Sequence, residues 1–176
     1  MPKLSNEEAN YLKLIIFINT IATPAVRVKF NQHFPPTSLP TTLKNEESKL
    51  RSMRVLNAMQ LSLLYPATGA PLSENFDISL MVCLLRNLTH IVSPSNGFDK
   101  LPANNEIHDG ADLARIKHYR NYLFHGNRST IPTQQFNDIW TDLTAISTRE
   151  KISSDLSRVK GKQTLINAVN TRKDDV

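Results

Sequence analysis

Apolar residues recur along much of the chain at the spacing of three and four residues that is typical of amphipathic helices. The pattern is clearest after Thr133, where a single helical face carries Phe136, Ile139, Trp140, Leu143 and Ile146. Near the N-terminus a similar stripe follows the capping-box sequence Ser5-Asn6-Glu7-Glu8. Both segments are therefore predicted to be helices with one buried face.

Two further segments carry the densest apolar faces of the chain. The segment from Ile78 to about Ile91 is apolar almost all round, and Asp77 before it is a suitable N-cap. The second segment runs from about Asp109 to His125 and is followed by Gly126, a residue that commonly ends helices. We predict two long helices here and expect the first to be buried.

Prolines and cap residues divide the rest of the sequence into shorter predicted helices. One helix is predicted to begin at Thr23-Pro24, because proline is well tolerated in the first helical turn. Pro40 is expected to close an extended connection before a helix from about Asn45 to Arg54. Asn57 is a predicted N-cap of a further short helix.

Length and composition narrow the fold class. A chain of 176 residues is long enough for one sizeable core. Five glycines are too few for a turn-rich sandwich or barrel, and the ten prolines punctuate the predicted helices. We therefore predict an all-α, single-domain helical bundle over residues 5–148. The apolar pattern thins beyond it, which predicts a weakly helical to disordered basic tail over residues 149–176.

The formal net charge of +5 is concentrated in that tail. From Arg149 onward there are seven basic and four acidic residues, against 14 basic and 12 acidic residues in the rest of the chain. Charge by itself therefore supports nucleic-acid binding by the folded part only faintly.

Cysteine content and hydropathy predict the compartment. The single Cys83 cannot form an internal disulfide, which favours a reducing environment. The first ten residues are polar where a secretory leader would be apolar. The longest apolar run, Leu80 to Leu85, is far shorter than the ~20 residues that span a bilayer. We expect a cytoplasmic or nuclear protein without membrane association.

The predicted helix from Asp109 to His125 carries an arginine on its apolar side. At ~100° per residue, Arg120 falls among the sector that holds Leu113, Ile116, Leu123 and Phe124. A guanidinium in such a place needs a partner, because an uncompensated buried charge is very costly. Two interpretations stay open from these residues. Arg120 is a structural staple and His125 a helix C-cap, or the two belong to a functional site together with Asn121.

The predicted helix from Ile78 to Ile91 has one polar strip, formed by Ser79, Cys83, Arg86 and His90 at intervals of about one turn. Such a strip on an otherwise apolar helix usually faces a buried polar group, a partner chain or a ligand. Another Arg-to-His spacing, Arg27 to His33, lacks a following asparagine and leads into prolines, so we discount it as a site.

Several short motifs, in this order and spacing, carry a resemblance to a known family. They are His33-Phe34-Pro35-Pro36, Leu64-Tyr65-Pro66, Phe76-Asp77-Ile78-Ser79-Leu80, Leu84-Leu85-Arg86-Asn87, Gly97-Phe98-Asp99-Lys100-Leu101-Pro102, the block from Ala111 to Asn121, and Phe136 with Trp140. Over about residues 5–148 the chain resembles the HEPN domain of the DAZ-interacting zinc-finger E3 ubiquitin ligase type. Phe98 stands where tryptophan is expected. His90 stands where relatives carry a small or apolar residue, so a role for His90 is not a family role.

The resemblance implies a bundle of about five or six helices that pairs with a second copy. Active HEPN proteins are metal-independent endoribonucleases whose Arg-x(4–6)-His motifs meet across the dimer. Carried over here, the implied catalytic residues are Arg120, Asn121 and His125, with RNA as substrate and no metal or cofactor. Arg86, Asn87 and Lys117 are additional candidates for substrate binding.

These residue types suit RNA cleavage. A histidine can move a proton between the 2′-hydroxyl and the leaving oxygen, and an arginine can hold a phosphate in a two-pronged contact. The resemblance also leaves a non-catalytic alternative open, in which the domain is a dimerisation or sensing module with protein partners in innate-immune or ubiquitin signalling. Both an enzyme and a non-catalytic module agree with the residues of the sequence.

Overall fold

A computed structural model describes residues 4–126 and 128–149, and all regular structure in these ranges is helical. The α-helices are α1 (Asn6–Phe17), α2 (Thr23–His33), α3 (Leu39–Asn45), α4 (Glu47–Ser52), α5 (Ala58–Leu64), α6 (Ile78–Leu88), α7 (Asp109–Phe124) and α8 (Thr133–Arg149). A π-helical segment, Ile18–Ala22, follows α1, and a 3₁₀ turn, Ser73–Asn75, precedes α6. The predicted all-α class is confirmed. The predicted basic tail lies, from residue 150 onward, outside the described residues.

Contacts divide the chain into two compact units. Among the described residues, one unit comprises 4–25, 119–126 and 128–149, and the other comprises residues 26–118. In the first unit, α1 packs on α8 through an edge-on contact between Phe17 and Trp140, whose ring centroids are 5.3 Å apart. The buried Asn10 side chain donates to the carbonyl of Ile131 over 3.2 Å and so joins α1 to the segment before α8.

The junction between α1 and α2 differs from the predicted one in its geometry. α2 begins at Thr23 as predicted, but the chain does not leave the helix, because the π segment connects the two. A proline inside a helix lacks an N–H and crowds the carbonyl four residues earlier. The Thr23 N–H instead bonds the Ile18 carbonyl five residues back, and this wider turn accommodates Pro24.

The helical run Asn6–His33 is long and apolar enough to cross a membrane by length and composition. Core helices of globular proteins meet the same two criteria. The largest apolar side chains in its middle, Leu14, Phe17 and Ile18, are buried in the fold. These three side chains are part of the hydrophobic core.

In the second unit, α6 supplies the most deeply buried side chains. The Asp77 carboxylate caps α6 by accepting from the Leu80 N–H over 2.8 Å, as predicted. The helix ends at Leu88 and not at Ile91, because Thr89 leaves helical geometry and its hydroxyl donates to the Leu85 carbonyl. Five of its side chains are inaccessible to solvent: Leu80, Met81, Val82, Leu84 and Leu85.

The segment before α5 was not predicted correctly. An extended connection was expected at Pro40, but this residue lies in the first turn of α3. Proline is tolerated there because the N–H groups of the first helical turn have no acceptor within the helix. The expected helix from Asn45 to Arg54 is replaced by α3 and α4, which are interrupted at Glu46. The cap at Asn57 is confirmed as a full capping box with Gln60.

A buried ion pair fixes the first half of α7 and the loop before it. Arg115 and Asp112 are each 3% exposed and lie 3.2 Å apart, from Nη1 to Oδ1. The Arg115 guanidinium also donates to the carbonyls of Ala103, over 2.8 Å, and Glu106, over 3.2 Å. One arginine thus satisfies a buried carboxylate and two loop carbonyls.

Candidate functional site

The predicted catalytic residues lie together in the last turn of α7 and the residue after it. The His125 N–H donates to the Asn121 carbonyl over 2.8 Å, which continues the helical bonding one residue past Phe124. Gly126 then leaves the helix with φ of +128°, a conformation that favours glycine. His125 is exposed, while Arg120 and Asn121 are half-buried.

Arg120 has its own contacts at this helix end. Its Nη1 donates to the Asn121 Oδ1 over 3.1 Å, and its guanidinium lies over the Phe124 ring at 5.4 Å from the centroid. The expected burial of Leu123 is confirmed, but Phe124 is 43% exposed. The buried stripe of α7 is therefore narrower than the helical wheel suggests. Arg120 sits at its margin, partly open to solvent.

Aromatic and basic groups adjoin these residues. The guanidinium of Arg128 lies 4.3 Å from the centroid of the Tyr122 ring and donates to the Tyr122 hydroxyl. Sequence reasoning did not propose Tyr122, Phe124 or Arg128 as site residues. The sequence does contain a feature that could have indicated them: two aromatic residues stand between Arg120 and His125, and an arginine follows shortly after Gly126.

Two of the predicted substrate-binding residues, Arg86 and Lys117, cluster around one carboxylate in the unit of residues 26–118. Arg86 Nη1 lies 3.1 Å from Asp99 Oδ2, and Lys117 Nζ lies 2.6 Å from Asp99 Oδ1. The hydrogen bond from Lys117 is the main reason that the pKa of Asp99 is lowered from its ordinary value. The Arg86 guanidinium also rests 5.6 Å from the centroid of Phe98. Arg86 and Lys117 are thus brought together by one carboxylate.

Asn87 and Cys83 have local roles in the same helix. Asn87 Nδ2 donates to the Cys83 carbonyl over 2.7 Å and approaches its sulfur at 3.6 Å. Burial raises the pKa of the Cys83 thiol, which keeps it protonated. The polar strip expected along α6 does not reach His90, which lies beyond the end of the helix.

His90 instead lines an open cavity of about 720 Å³ together with His33 and His108. In the described part of the chain, no group of three or more His, Cys, Asp or Glu side chains is placed to hold a metal ion. Arg27, in the discounted second motif, donates to the carbonyls of Ser73 and Phe76, each over 3.0 Å. It is a structural link between α2 and the 3₁₀ turn.

Comparison with known proteins identifies the family that the chain resembles. A family profile described as DZIP3/hRUL138-like HEPN matches residues 36–175. The E3 ubiquitin-protein ligase DZIP3 of Mus musculus is 29% identical over 161 residues, which cover 86% of this chain and 13% of that protein. The E3 ubiquitin-protein ligase DZIP3 of Homo sapiens is 28% identical over 163 residues, with the same two coverages. The chain thus spans a small part of these relatives. No solved structure matches it significantly.

Proposed function

This chain belongs to the DZIP3/hRUL138-like HEPN family, and from that premise we propose that it is a metal-independent endoribonuclease domain acting through Arg120, Asn121 and His125. One observation carries the proposal. A single helix end presents a partly open guanidinium, an amide bonded to it and an exposed imidazole one turn further on. These are the groups that phosphate binding and proton transfer at a ribose require.

The proposed reaction uses the substrate's own hydroxyl as nucleophile. The His125 imidazole takes the proton from a ribose 2′-OH, and the 2′-oxygen attacks the adjacent phosphorus. The bond from phosphorus to the 5′-oxygen breaks, and that oxygen receives a proton from an imidazolium. The products are a 2′,3′-cyclic phosphate and a 5′-hydroxyl. Arg120 stabilises the charge that gathers on the non-bridging oxygens, and Asn121 holds the Arg120 guanidinium in place.

Two copies of the chain are part of the proposal. General base and general acid act on opposite sides of the phosphorus, so two imidazoles from two copies suit the reaction better than one. Two exposed apolar residues of the same unit support this part of the proposal: Leu12 and Ile16 of α1 are one turn apart and 43% and 40% accessible. We propose that these two side chains contribute to the interface between copies.

Cleavage of end-labelled single-stranded RNA by the purified chain, in buffer containing EDTA, tests the proposal. We expect 2′,3′-cyclic phosphate ends, loss of ~10²–10⁴-fold of the rate in His125→Ala, and failure of Arg120→Lys, since an ammonium makes no two-pronged contact. Lys44→Ala, which removes one positive charge from α3, is the matched control and should cleave normally. Wild-type protein that leaves RNA intact, or that needs a divalent ion, would refute the proposal.

A second candidate function rests on the other predicted cluster. Arg86 and Lys117 are both engaged by Asp99, so neither is an open phosphate ligand in this structure. That arrangement favours a non-catalytic HEPN module that pairs copies within a ubiquitin-ligase-type or innate-immune protein. Sedimentation velocity alongside the cleavage assay separates the two functions. A concentration-dependent dimer without cleavage identifies the module.

A further inference from the structure

Two aromatic side chains, Phe124 and Tyr122, lie on either side of Asn121 and His125 around the end of α7. At ~100° per residue, Arg120 and Phe124 are ~40° apart, and Asn121 and His125 form the next pair around the helix. Tyr122 follows on the far side of that second pair. The order around the helix is therefore one aromatic ring with Arg120, then the amide and imidazole, then the other ring.

Each ring is paired with a guanidinium. Arg120 lies over Phe124, and Arg128 lies over Tyr122 while donating to its hydroxyl. An arginine held over a ring can contact a phosphate with its edge, while the ring can stack on a nucleobase. The same pairing thus occurs twice, once on each side of His125.

The exposure of these groups sets them apart from core residues. Leu123, between the two rings in sequence, is fully buried and anchors the helix end. Phe124 is 43% exposed, and Arg128 is exposed. The aromatic surface at Phe124 is therefore not required for packing.

We propose that Phe124 and Tyr122 are stacking platforms for the two unpaired bases that flank the phosphate bound at Arg120 and His125, with Arg128 contacting the next phosphate. The inference rests on the proposed function and names its substrate class as single-stranded RNA. Bases within a double helix are stacked on one another, so their faces cannot lie against these rings. Tyr122, Phe124 and Arg128 are therefore specificity-determining residues.

Fluorescence anisotropy with a labelled, fully 2′-O-methylated single-stranded RNA tests the inference, because this probe binds without being cleaved. We expect Phe124→Leu and Tyr122→Leu each to weaken binding about tenfold, the usual scale for loss of one stacked base. Phe124→Trp should restore binding, since it keeps a ring. Arg128→Ala should weaken it more than the charge-matched Lys44→Ala. The same probe annealed to its complement should bind all variants equally, and thermal melts check folding.

The outcomes separate this inference from the proposed cleavage. Wild-type protein that binds the single strand no better than its leucine variants, or does not bind it, overturns the stacking platforms whatever the cleavage assay shows. Ring-dependent binding by a protein that leaves unmodified RNA intact supports the platforms and refutes the nuclease. Equal loss of duplex and single-strand binding in the leucine variants would also overturn the inference.

Discussion

Replacing Arg115 should destabilise the protein far more than replacing Arg120. Arg115 is almost completely buried, where it pairs with Asp112 and donates to the carbonyls of Ala103 and Glu106. Its removal leaves the buried Asp112 carboxylate and two loop carbonyls without those donors. Breaking a buried pair by removing one partner costs ~3–5 kcal/mol, so Arg115→Ala should lower the free energy of unfolding by about that amount.

Arg120 is half-buried, and its described contacts are a hydrogen bond to Asn121 and an approach to the Phe124 ring. Water can still solvate part of a half-buried group, so removing that group costs less than removing a fully buried one. Arg120→Ala should therefore lower the free energy of unfolding by less than Arg115→Ala. The difference between the two arginines follows from their burial, since both lie on the same helix.

Urea unfolding followed by circular dichroism measures both values. With a slope of about 2 kcal/mol/M, the Arg115→Ala midpoint should fall by about 1.5–2.5 M, and the Arg120→Ala midpoint should fall by clearly less. Lys44→Ala, at an exposed position of α3, is the control and should cost no more than ~0.5 kcal/mol. If Arg115→Ala does not fold, Arg115→Lys should show a smaller, measurable decrease in the free energy of unfolding. An Arg120 variant as unstable as its Arg115 counterpart would refute the reasoning and make Arg120 the structural staple.

Three further predictions concern titration and packing in the unit of residues 26–118. The pKa of Asp99 is lowered, chiefly by the hydrogen bond from Lys117, so this carboxylate stabilises the fold above its ordinary pKa of 3.8 and less as pH falls through its folded pKa. Asp99→Asn should therefore reduce the melting temperature more at pH 7 than at acidic pH below 3.8. Burial lowers the pKa of His118 from 6.5, so the unfolded chain takes up a proton first and stability should decline as pH drops below about 6.5. His118→Gln should flatten that decline in urea titrations. A Cβ on Gly110 would lie 1.9 Å from the Val92 carbonyl oxygen. Gly110→Ala should therefore lower the melting temperature by several degrees. An unchanged melting temperature would mean that the backbone at Val92 moves away at little cost.

Local interactions were predictable from the sequence. The capping boxes at Ser5 and Asn57 and the cap at Asp77 depend on side chains bonding to backbone three residues away, so nearby residue types suffice to identify them. The pairing of Asn121 with His125 at one helix end follows in the same way from their spacing of four. For the same reason the all-α class and the family resemblance could be predicted before any coordinates.

Which charged side chains are buried was decided only by the tertiary structure. A helical wheel places Arg120 among apolar residues, yet Arg115 is the buried arginine of α7, because loop carbonyls and Asp112 surround it. Sequence distance likewise hides the pairing of Arg86 and Lys117 on Asp99. A buried or clustered charge depends on partners from distant segments that desolvate and bond it. Periodicity along one helix carries no information about those partners.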